Sequence, residues 1–165
     1  MKKGHDQHGA MSQQMIRRHY TMFGLNMLVS TIIMYLVMFE MIRGWGEFVQ
    51  NINFFYMALT MAMPMGALML LMMRSMYADK RLNLILYIVL TVIFVGAFAA
   101  VRTQALVGDK QFVRSMIPHH SGAILMCNQS SLRDAEVRDL CFKENGIVKS
   151  QEREIAQMKA ILWRL

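Results

Sequence analysis

A chain of 165 residues is long enough for one compact domain, or for a small membrane domain with an appendage. Hydrophobic residues make up 55% of it and charged residues 18%, which argues against an ordinary soluble domain and for membrane helices. The formal charge of +7 lies between long apolar runs, where positive-inside topology accounts for it better than nucleic acid binding, so no nucleic acid partner is expected.

Residues 1–20 are polar and read as a cytoplasmic tail with Lys2, Lys3, Arg17 and Arg18. Within it, "GHDQHGAMSQQM" holds His5, His8, Met11 and Met15, with His19 after, either a soft-metal arm or simply a solvated tail. Three apolar runs follow, at 21–42, 54–73 and 82–101, each about the length needed to cross a bilayer as a helix. The first carries Met27, Met34, Met38 and Met41 along a seam, and Glu40 near its end is expected to pair with Arg43.

The loop 43–53 has one basic residue, Arg43, whereas the loop 74–81 has Arg74, Lys80 and Arg81. That asymmetry places the N-terminus and the second loop in the cytoplasm and the residues after the third run outside. In the second run, Met57, Met61, Met65, Met69 and Met73 recur every four residues, and Pro64 should kink the helix. Methionine numbers 19 in the chain. It fills helix seams, and its thioether is also a soft ligand that favours Cu(I), so the row is either packing or a transport path. In the third run, Gly96 and Ala100 form a small-x-x-x-small pair suited to close helix packing.

Residues 102–165 read as helical, with Asp109 capping a helix to about Ser130, a short piece "DAEVRDLCF", a break at Asn145-Gly146 and a last helix from Ile147. The fold class is all-α, three transmembrane helices followed by an extracytoplasmic helical hairpin, with domains at 1–20, 21–101 and 102–165. On the helix "SMIPHHSGAILMC", Met116, His120 and Cys127 share one rail, and His119 and Met126 lie on a second beside it. A His/Met/Cys set is soft and suits Cu(I) or Ag(I) better than hard cations. On the last helix, Met158 is a further ligand candidate, and Gln151 and Glu154 are placed to hold the histidine N–H groups. Cys127 and Cys141 are open between a disulfide and metal-binding thiols, and the shared rail inclines the reading to ligands.

"MIPHHSGAILMC" followed by "VKSQEREIAQMKAIL" resembles the bacterial family known as domain of unknown function 305. The matching positions are Met116, Pro118, His119, His120, Gly122, Ala123, Ile124, Met126, Gln151, Glu154, Ile155 and Met158. The resemblance implies a ferritin-like helical domain, exported or periplasmic, that binds copper or silver through Met and His in metal tolerance. With the three apolar runs, a bacterial family implies a place in the bacterial inner membrane. Three spans with a methionine row also resemble the Ctr-type copper transporters, with the opposite topology.

The expected function is therefore a membrane-anchored Cu(I) or Ag(I) binding protein acting in copper handling, and not an enzyme. The alternative is a Cu(I) transporter or relay. A ferritin-like oxidase would need Glu-x-x-His pairs, and none occurs in the chain. Half a four-helix bundle leaves an apolar face exposed. The hairpin is therefore expected to form a homo-oligomer or to pack on another copper-handling protein.

Overall fold

Long runs of Leu, Ile, Met and Ala satisfy every backbone polar group inside one helix, and that decides the first half of the chain. A computed structural model describes residues 3–165, with side chains from Gln13 onward. The described residues are all-α: α1 (Lys3–Val37), α2 (Ile52–Met72), α3 (Lys80–Thr103), α4 (Asp109–Gln129), α5 (Ala135–Phe142) and α6 (Ile147–Arg164), with a single 3-10 turn at Trp45–Glu47. Gln13–Val37, Ile52–Met72 and Lys80–Thr103 are each long and apolar enough to cross a membrane, and these three candidate spans suggest a membrane protein.

The polar tail expected at 1–20 is continuous with the first span, because α1 already begins at Lys3. Its Ala, Met, Gln and Arg residues favour the helix and outweigh Gly4 and Gly9. The side chains of His5, His8 and Met11 lie outside the described residues. Pro64 sits inside α2 without ending it, and Pro118 sits inside α4 rather than at its start.

The chain divides into two units, Met1–Tyr35 with Tyr56–Arg102, and Leu36–Phe55 with Thr103–Leu165. In the first unit, Phe23, Ala62, Met63, Leu70, Tyr77 and Leu90 form the core. α2 buries Ala58, Ala62 and Gly66, a small residue every fourth position. A Cβ on Gly66 would lie 2.6 Å from Met27 Sδ, so the missing side chain makes room for that thioether. The small pair expected to pack in α3 does not do so within this chain. Gly96 is exposed with open space beside it, and its neighbour Ala97 is buried instead.

The second unit is built on α4 and α6, which pack antiparallel around Val113, Ile117, Ile124 and Ile155. The expected boundary at 102 omits part of it, because the segment 36–55 also belongs here. Phe39 packs against Phe48 and Phe54 with ring centroids 4.3 and 4.9 Å apart, and Val49 joins the Ile117 cluster. Gly108, not Asp109, is the N-cap of α4, and Asp109 lies in the first turn, where a carboxylate favours the helix dipole. Asp134 caps α5 by accepting from the Val137 N–H at 3.0 Å.

Cys127 and Cys141 are joined in a disulfide between α4 and α5. This corrects the reading of either sulfur as a thiolate ligand. The turn at 130–134 brings α5 back against the end of α4, and the two thiols meet in a buried position. The bond closes a loop with a sequence separation of 14. Both tryptophans, Trp45 and Trp163, lie in this unit, so their fluorescence reports its unfolding. Cys127→Ala/Cys141→Ala should lower the unit's stability by about 3 kcal/mol, the entropic figure for a loop of about fifteen residues, measured by urea titration of tryptophan emission.

Candidate functional site

The α4–α6 seam holds an imidazole–carboxylate pair. His120 Nδ1 lies 3.0 Å from Glu154 Oε2, and the Ser150 hydroxyl donates to Glu154 Oε1 at 3.1 Å. The imidazole is mostly buried, and its Nδ1 has no aligned hydrogen bond, so the pair is a close electrostatic contact set off the hydrogen-bond line. Burial holds the His120 pKa below its ordinary value of 6.5; Glu154 opposes that shift, and nearby His119 adds to it. The ring is therefore neutral at neutral pH. Where Nδ1 carries the proton toward Glu154, Nε2 keeps its lone pair for a ligand.

The antiparallel register extends this level along the seam. His120 faces Glu154, and at the far end Lys110 Nζ donates to the Leu165 carbonyl at 3.2 Å. One turn from His120 toward that end, Met116 of α4 comes level with Met158 of α6. Both are half-buried, and Met158 packs against the isoleucine cluster. Gln151 is half-buried one turn the other way, level with Ala123.

The second rail separates from the first. His119 is exposed and so is Met126, while His120 and Met116 turn toward α6. The rings of His119 and His120 are 6.4 Å apart between centroids. The helical phase that groups the five side chains on α4 thus splits at its edge once α6 is docked. Among the described residues, no group of three or more His, Cys, Asp or Glu converges as a metal cluster.

Sequence reading missed a polar latch on the other side of α4. The Arg43 backbone N–H donates to Ser121 Oγ at 2.6 Å, and the Ser121 hydroxyl donates in turn to the Glu47 carboxylate. The Arg43 guanidinium pairs with Glu47 at 2.8 Å and with Glu152 of α6 at 2.5 Å. The expected partner, Glu40, is exposed, and the chain turn after α1 carries Arg43 away from it. Glu47 is 4% exposed and Ser121 fully buried. Asn53 Nδ2 adds contacts to Ser115 Oγ and Gln104 Oε1 at 3.1 and 3.0 Å. The only signal in sequence was Ser121 beside the histidines, with no indication of what it faced.

On α2, the methionine row faces largely away from its packing stripe. Met57, Met61, Met65 and Met73 are exposed and Met69 half-buried, while Ala58, Ala62 and Gly66 point inward. The three helices of one chain do not enclose the row as a path.

Comparison with known proteins places these residues in a family. Residues 97–162 match the family described as a domain of unknown function (DUF305). A curated relative, "Uncharacterized protein L153" of Acanthamoeba polyphaga mimivirus, is 35% identical over 119 residues, covering 71% of this chain and 74% of that protein. No solved structure matches the chain.

Removing the cation of the latch leaves a buried carboxylate short of a partner. Arg43→Ala should cost about 1–3 kcal/mol in the urea titration, and adding Glu47→Gln should recover part of that loss. A double variant no more stable than Arg43→Ala alone would mean that the Glu47 charge is not what the arginine offsets.

Proposed function

The chain belongs to the DUF305 family, and from that premise we propose that it is a membrane-anchored soft-metal binding protein, holding Cu(I) or Ag(I) on the α4–α6 seam in copper handling or tolerance. The observation that carries this reading is the His120–Glu154 pair. A half-buried imidazole with Nδ1 turned to a carboxylate is the arrangement that orients a histidine ligand and strengthens its other nitrogen as a donor. Thioethers of Met116 and Met158, level with each other one turn away, make the remaining donors soft. The set fits a monovalent soft ion and lacks the carboxylates that a hard divalent ion or a di-iron centre requires. In this reading the N-terminus is cytoplasmic and the second unit lies outside the membrane, as the basic residues of the tail and of the loop 74–81 favour.

His119 and Met126 stand apart from the seam, so the reading separates them from His120. In an anaerobic Cu(I) competition titration of the full chain, His120→Ala should remove the tightest-bound Cu(I). Glu154→Gln should weaken it by about 10–100-fold, the usual cost of losing a ligand's outer partner. His119→Ala and Met126→Leu should change it little. Cu(I) affinity and stoichiometry both unchanged in a folded His120→Ala variant would sink the seam site.

A further inference from the structure

The first unit carries a second set of soft donors, where the middle of α1 passes the end of α2. On α1, Met15, His19, Met22 and Asn26 recur at helical spacing and share one face. Two contacts show what that face meets. Asn26 Nδ2 lies 3.5 Å from Met69 Sδ, and His19 Nδ1 lies 3.1 Å from the Met76 carbonyl oxygen. The face therefore runs along the last turn of α2 and the residues after it, where Met73 and Met76 stand.

The contact at His19 decides its chemistry. A carbonyl oxygen only accepts, so Nδ1 carries a proton, and in the neutral ring Nε2 then keeps its lone pair. The backbone of Met76 thus gives His19 the hydrogen bond that Glu154, close to His120 but off the hydrogen-bond line, does not give that ring. Met22, Met73 and Met76 are all exposed, at 56%, 38% and 40%, so their thioethers are not consumed by the core. A methionine side chain has three rotatable bonds and can swing its sulfur onto an ion beside a fixed imidazole.

We propose that His19, with the thioethers of Met73 and Met76, forms a second soft-metal site for Cu(I) or Ag(I) at this end of the first unit. The site stands on residues separate from the α4–α6 seam and does not depend on it. One imidazole nitrogen with two thioethers is the donor number and softness that a monovalent d10 ion accepts, and it offers nothing to Mg²⁺ or Ca²⁺.

The test uses the full chain in detergent with both seam histidines removed, His119→Ala/His120→Ala, titrated anaerobically with Cu(I) against a competing chelator. His19→Asn is the discriminating variant. Its amide nitrogen can still donate to the Met76 carbonyl from the Nδ1 position, but it has no ring lone pair. Relative to the background, His19→Asn should weaken the tightest remaining Cu(I) by about tenfold or more and remove nitrogen from its X-ray absorption shell. Met73→Leu/Met76→Leu should weaken it likewise and reduce the sulfur count. A background that binds no Cu(I), or one whose affinity and shell survive both variants, overturns the proposal. Because the background lacks His119 and His120, neither outcome depends on whether the seam binds metal.

Discussion

Two helices cannot surround their own apolar face, and the second unit is shaped by how that face is covered. Ile117, Ile124 and Ile155 lie between α4 and α6 with almost no exposure. What closes the remaining side is not a third long helix but the segment between the first two spans. Phe39, Phe48 and Phe54 cluster there, and Met41 lies against Gly122, where an added Cβ would come within 3.6 Å. Covering an apolar face with a loop brings backbone polar groups into a dry place, where each needs a partner. The Ser121–Arg43–Glu47 latch and the Asn53–Ser115 contact supply partners there. The latch is thus a consequence of how the core is closed, which is why a fully buried serine sits directly after the paired histidines.

That closure also divides the side chains on α4. One side goes to the loop, through Ser121 and Gly122, and one goes to α6, through Ile117 and Ile124. His120 falls at the edge of the α6 side, half-buried, and His119 falls outside it. Adjacent histidines about 100° apart on a helix cannot share an environment once a neighbour docks. One becomes an oriented, desolvated imidazole beside a carboxylate, and the other remains in solvent. The difference between them comes from packing and not from the residues themselves.

Local chemistry was readable in the sequence, and long-range pairing was not. The break at Asn145-Gly146, the start of α6 at Ile147, the three apolar helices and the placing of Glu154 beside a histidine follow from spacing and composition, although the first of those helices ends at Val37 and not at 42. So did the family, from the Met-x-Pro-His-His stretch and the Gln-x-x-Glu-Ile helix. What the pattern could not give was the partner of a residue far along the chain. Arg43 has a carboxylate three residues before it and another four after it, and only the turn after α1 decides for Glu47. Gly66 and Gly96 look alike in apolar runs, yet only Gly66 receives a side chain, that of Met27. Cys127 shares a rail with His120, but the same rail carries it to Cys141, because α5 returns over the end of α4. Helical phase assigns a face and is silent on which element comes to meet it.

The two proposed sites share a device and differ in one term. In each, Nδ1 of a histidine is turned to an oxygen from another part of the fold, which leaves Nε2 as the donor. At His19 that oxygen is a neutral carbonyl. At His120 it is a carboxylate, whose negative charge beside the ring makes the imidazole the stronger base. A stronger base also attracts a proton, and burial around His120 acts against that by disfavouring the imidazolium. The combination yields a donor that is strong yet unprotonated at neutral pH, which a carboxylate on an exposed ring would not achieve. Under the proposed reading, His120 is the tighter donor of the two and His19 the looser, and the difference rests on one carboxylate and the isoleucines packed around its seam.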